Sequence, residues 1–113
     1  MTTNTLNRRQ VERTPTERPV TLYGSQQNMD GKMIDLSTKG VGVVAYHDCF
    51  TENEIEIEFL LPTQGEKALR LAARIIYSAK VRGNCFMGMA FTDLSEANRS
   101  KISEFIRQHK RLD

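Results

Sequence analysis

The clearest hydrophobic pattern in the chain is NEIEIEFLLP, residues 53–62, where Ile55, Ile57 and Phe59 alternate with Glu54, Glu56 and Glu58. Side chains on a strand point alternately to opposite faces. The run therefore predicts an antiparallel strand with one face in a core and the other in water. Pro62 ends it. VTLYG, residues 20–24, is rich in strand formers and begins the folded part. SQQNMDG carries turn chemistry, with Asp30-Gly31 as the expected turn point. KMIDLS reads as a strand with Met33, Asp35 and Ser37 on one face, and Ile34 and Leu36 facing the core. STKG fits a turn that begins with serine and ends with glycine, and VGVVAY follows as the next strand. ALRLAARIIYSAKV is a long strand candidate, bent or bulged near Ala72-Ala73. RGN turns, and CFMGMAF returns as the last strand, where Gly88 marks a close backbone approach or a bend.

The period then changes. Ile102, Phe105, Ile106 and His109 recur at helical spacing and predict an amphipathic helix over about 94–110. Asp93 with Glu96 resembles a capping box, and Ser95 is a competing N-cap. Arg107, Lys110 and Arg111 crowd the helix end, where the macrodipole favours cations. Short antiparallel strands followed by one helix imply an all-β fold with a terminal helix: a small barrel, with the helix over an end or side.

A length of 113 residues suggests one domain. The formal net charge of +2 is too small to imply nucleic acid; its distribution is more informative. Arg8, Arg9, Arg13 and Arg18 cluster near the N-terminus, diluted only by Glu12 and Glu17. Residues 1–14 are polar and then basic, and are expected to form an arm that is flexible without a partner, ahead of a folded domain at 15–113. Pro15 and Pro19 bracket a stiff, extended approach to the first strand. Cys49 and Cys85 lie far apart with no ligand-type spacing around them, which predicts two reduced thiols in a cytoplasmic protein. No stretch approaches the roughly 18 apolar residues of a membrane span, and the first residues hold no signal-peptide core.

Enzyme signals are poor. His47 and His109 are isolated, and no Ser/His/Asp set, phosphate-cradling glycine loop or metal-ligand spacing occurs. The reading is of a binding protein, not an enzyme. Two constellations could carry the binding. The first is RRQVER, residues 8–13, with Arg9-x-x-x-Arg13 preceded by Arg8. A guanidinium presents a planar fork of donors that grips a phosphate or the O6/N7 edge of guanine, and it can stack on a base. Spaced four apart, the two arginines start about 13 Å apart if extended and about 6 Å apart if helical. The bland reading is a solvated basic tail. The second is DLSTKG, residues 35–40, with Asp35-x-Ser37-x-x-Gly40. A carboxylate can accept from guanine N1–H and the exocyclic amine, and a serine hydroxyl beside it can donate or accept. Gly40 allows positive φ and leaves the floor of such a site without a side chain. The bland reading is a turn closed by side-chain hydrogen bonds. Together the two describe a site for a guanine nucleotide with accessible phosphates.

Both motifs, in this order, resemble those of the PilZ domain family, and FMGMAFTDLSEANRSKISEFI looks like that family's last strand and following helix. The resemblance runs from about Arg8 to Ile106. It implies a six-stranded antiparallel β-barrel with a C-terminal helix, and cyclic di-GMP as ligand. Carried over residue by residue, Arg9 and Arg13 would grip guanine edges and phosphate. Asp35 and Ser37 would bond a guanine, and Gly40 would shape the turn. Arg8 resembles the type that binds two intercalated ligand molecules. Tyr77 could stack on a guanine, or be an ordinary strand tyrosine; Arg74 could approach the phosphates, or be a solvated strand arginine.

The implied role is a monomeric receptor or adaptor without membrane insertion. Ligand would order the arginine arm against the strand of Asp35 and change the surface offered to a downstream protein. The alternative is a ligand-independent interaction module on the same fold. A nucleic-acid-binding barrel using its basic arm is disfavoured by the modest charge and few aromatic residues.

Overall fold

The computed structural model describes residues 14–62 and 68–112. The alternating run at Glu54 forms a strand as its pattern requires, with Ile55, Ile57 and Phe59 buried and Glu54 and Glu56 exposed. The strands in chain order are β1 (Thr14–Pro15), β2 (Pro19–Tyr23), β3 (Asn28–Leu36), β4 (Gly40–Ala45), β5 (Glu54–Leu60), β6 (Ala68–Val81) and β7 (Asn84–Phe91). One helix, α1 (Glu96–Leu112), follows. All pairings are antiparallel, in the order β1-β3-β2-β5-β6-β7-β4, and a β3–β4 pairing closes the sheet. The result is a closed six-stranded barrel, with the short β1 as an extra strand. β1 pairs with the far end of β3, beyond the part that pairs with β2.

The barrel interior is filled by Leu22, Met33, Leu36, Val41, Val43, Ile57, Leu71 and Met87, all with 5% exposure or less. Burying each such side chain contributes about 1.5–3 kcal/mol relative to leaving it in water. Helix α1 adds Ile102, Phe105 and Ile106 to the same core, and His109 sits beside Phe105 at 5.4 Å. Ser95 is the N-cap: its Oγ accepts from the backbone N of Asn98 at 3.1 Å. Asp93 instead takes a positive φ of 57° in the turn before the helix. Among the described residues, no helix is long and apolar enough to cross a membrane.

Four expectations are corrected. The first turn falls at Gly24–Gln27, where Gly24 N donates to Gln27 O at 2.9 Å, and Asp30-Gly31 lies inside β3. The irregularity in β6 falls between Ile75 and Tyr77, not at Ala72-Ala73. A second irregularity in β3, between Met33 and Asp35, breaks the expected alternation. One extra residue in a strand turns the following side chains to the other face. Met33 is therefore fully buried and Ile34 is 40% exposed, the reverse of the period-two reading.

The fourth concerns the cysteines. Cys49 and Cys85 form a disulfide with Cα atoms 5.2 Å apart. Their separation of 36 residues concealed a close approach. Cys85 points into the barrel from β7, and the loop after β4 folds back over it. Asp48 of the same loop pairs with Lys80, which lies opposite Cys85 across the β6–β7 ladder. That lysine holds the Asp48 carboxyl below its ordinary range, by hydrogen bonding first and charge second.

Candidate nucleotide-binding site

Asp35 stands half-buried near the end of β3, with Pro15 of β1 on one side and Gly42 of β4 on the other. Gly42 in turn pairs with Gly88 of β7, and Gly88 with Tyr77 of β6. Paired residues on adjacent strands project from the same face of a sheet. One row thus crosses five strands: Pro15, Asp35, Gly42, Gly88, Tyr77. It lies on the outside of the barrel, because the residues flanking each glycine, Val41 and Val43 on β4 and Met87 and Met89 on β7, are buried in the core. Tyr77 is 62% exposed.

Ser37 does not share that open face. It follows β3 directly and is fully buried. Its Oγ accepts from the backbone N of Lys39 and of Gly40, each at 3.1 Å, and lies 3.3 Å from Gly40 O as a donor. The backbone N of Ser37 donates to the same carbonyl at 2.9 Å. The hydroxyl is engaged in the β3–β4 turn. Gly40 serves that turn through space rather than dihedral freedom. A Cβ there would lie 2.1 Å from the Met89 carbonyl oxygen. The glycine with positive φ among the described residues is Gly83, which with Arg82 makes the expected RGN turn between β6 and β7.

Arg74 projects from β6 opposite Ala90, and its Nη2 meets Glu54 Oε2 at 3.4 Å. Arg8, Arg9 and Arg13 lie outside the described residues. Thr14, the residue after Arg13, pairs with Leu36, next to Asp35. It is buried, and its Oγ1 has no hydrogen-bond partner among the described residues.

A concave surface elsewhere on the barrel is lined by Tyr23, Glu52, Glu54, Glu56 and Arg70. Three carboxylates against one guanidinium suit an anionic ligand poorly. Its groups also satisfy one another. Tyr23 Oη donates to Glu58 at 2.6 Å, Arg70 Nε donates to Glu56 at 2.7 Å, and the Arg70 guanidinium lies 3.7 Å from the Tyr23 ring centre. The bond to Glu58 raises the Tyr23 hydroxyl above its usual pKa. Among the described residues, no cluster of His, Cys, Asp or Glu is placed to hold a metal ion.

Sequence reasoning assigned no role at the site to Gly42 and Gly88. The signal was present: each is a glycine set inside an apolar alternating run, where a strand normally carries a side chain.

The PilZ domain family matches residues 7–108. No curated protein matches the chain. Among solved structures, the Bacillus subtilis inhibitor of motility MotI/DgrA aligns with a TM-score of 0.78 at 14% identity, over 94% of this chain and 52% of that one. The chain thus spans about half the length of that relative. The PilZ domain of YcgR from Escherichia coli, solved with c-di-GMP, aligns with a TM-score of 0.74 at 14% identity, over 93% of both chains. The PlzA protein of Borreliella burgdorferi, solved in complex with c-di-GMP, aligns with a TM-score of 0.57 at 8% identity, over 100% of this chain and 51% of that one. At these identities the likeness is one of fold.

Proposed function

The chain belongs to the PilZ domain family, and from that premise we propose that it is a receptor for cyclic di-GMP. The observation that carries the reading is the pairing of β1 with the end of β3. It anchors Thr14, the residue immediately after Arg13, next to Asp35, which supports a site built from the arginine motif and the carboxylate motif together. YcgR and PlzA, each solved with this ligand on the same fold, support the choice of nucleotide.

In this reading Asp35 accepts from N1–H and the exocyclic amine of a guanine, two bonds that a carboxylate can take together. Tyr77 offers its exposed ring for stacking. Arg9 and Arg13 grip phosphate and the guanine outer edge, Arg8 favours a second, intercalated ligand, and Arg74 joins the phosphates by leaving Glu54. Ser37 and Gly40 act through the turn, which fixes the end of β3 and so the carboxylate of Asp35. The receptor performs no catalysis. Binding draws residues 8–13 onto the barrel beside β1 and alters the surface offered to a downstream protein, an ordering coupled to ligand.

Calorimetric titration with cyclic di-GMP tests this. Binding with one or two ligands per chain is expected, and Arg13→Ala and Asp35→Ala should each weaken it. A folded protein that gives no heat at about 50 µM ligand, where a micromolar receptor would be near saturation, overturns the function. Unchanged affinity in both variants overturns the residue assignment.

A further inference from the structure

We infer that Gly42 and Gly88, neither of which belongs to the two motifs, are positioning residues that bring the Asp35 carboxylate and the Tyr77 ring within reach of a single planar base. The inference rests on reading this face as the nucleotide site. Asp35 and Tyr77 are rooted three strand spacings apart, about 14 Å at the backbone. Each leans toward the other over a glycine. A Cβ on Gly42 would lie 3.0 Å from Asp35 Oδ1 and 3.6 Å from Oδ2. A Cβ on Gly88 would lie 2.2 Å from Tyr77 Cε2 and 2.7 Å from Cζ, so the ring occupies the place of the missing side chain.

Gly42 and Gly88 are direct partners across the β4–β7 ladder, about 5 Å apart. The two missing side chains thus shorten a 14 Å separation of roots to about one strand spacing between functional groups. A purine can then stack on the outer side of the ring while its pairing edge reaches the carboxylate. With any side chain at position 88 the ring must swing off β7. At position 42 even a methyl group crowds the carboxylate oxygen. The ligand class is a planar heterocycle with N–H donors on one edge.

Two measurements test this, one without ligand. In the nuclear magnetic resonance spectrum of the free protein, the Gly88 α-protons should carry a ring-current shift that disappears in Tyr77→Ala. An unchanged shift overturns the placement of the ring, whether or not cyclic di-GMP binds.

The second is a pair of double-mutant cycles read by titration with cyclic di-GMP. Gly88→Ala should weaken binding about tenfold, the scale of one base–aromatic stack. It should add nothing in a Tyr77→Ala background. Gly42→Ala should behave the same way toward Asp35→Ala. If either glycine variant lowers affinity by the same factor with its partner side chain already removed, the glycine acts through general damage to the fold and the inference fails. Absence of binding in the wild-type protein overturns the proposed function and leaves the ring-current result to decide the geometry.

Discussion

Two outer faces of the same barrel present opposite solutions to an identical strand pattern. On the β5–β6 face, outward positions carry long charged side chains that close on their neighbours: Glu56 with Arg70, Glu54 with Arg74, and Tyr23 with both Glu58 and Arg70. On the β4–β7 face, the outward positions between Asp35 and Tyr77 are glycines. Both faces show alternation to a pattern reader. The first offers a partner few unengaged groups. On the second, the Asp35 carboxylate and the Tyr77 ring lie over the two glycines. A barrel of this size has too little interior to hold a nucleotide, because side chains fill it. In the proposed function the nucleotide therefore docks outside, on the face that the two glycines leave low.

The largest expected effect concerns the loop that joins the two faces. The Cys49–Cys85 link ties the segment between β4 and β5 to β7. A closed loop of 36 residues corresponds to about 4 kcal/mol of chain-entropy stabilisation. Cys49→Ser should therefore lower unfolding free energy by that order in urea melts, and a reductant should have the same effect on the wild type but none on the variant. Equal melts with and without reductant would show that the link does not constrain the unfolded chain.

The next effect separates the faces directly. Asp35→Ala should cost about 2 kcal/mol of ligand affinity, the scale of hydrogen bonds to a charged group, with little change in the melt. Glu56→Gln removes a half-exposed ion pair and should leave ligand affinity unaltered while changing stability by less than about 1 kcal/mol. Equal losses of affinity in the two variants would erase the distinction between the faces.

Much of this was legible in the sequence. Ile55, Ile57 and Phe59 announce their strand, Ile102, Phe105 and Ile106 announce the helix, and the two motifs announce the family. The parts that were not legible share a physical cause. A bulge adds one residue without altering composition, so Met33 and Ile34 exchanged faces unseen. Ser37 has the chemistry of a ligand contact and of a turn, and only burial distinguishes them. Cys49 and Cys85 meet because β4 and β7 are neighbours, a fact of topology rather than spacing. Gly88 announced a close approach, but that it faces Gly42 is a fact of the ladder.

The smallest effect belongs to Tyr23, and it probes whether the closed face is truly self-satisfied. Its hydroxyl donates to the Glu58 carboxylate, and that bond, before desolvation and charge, raises its pKa above 10.0. A raised folded-state pKa favours the protonated form. The stabilisation is complete below the unfolded-state pKa and is lost as pH rises through the folded-state value. Phenolate absorbance followed with pH should show one phase above the ordinary tyrosine range, and Tyr23→Phe should remove it. The same variant should abolish the corresponding alkaline decline in melting temperature and leave cyclic di-GMP affinity untouched. If the late phase instead survives in Tyr23→Phe, the Tyr23 hydroxyl is not the engaged group, and the contrast between the faces fails.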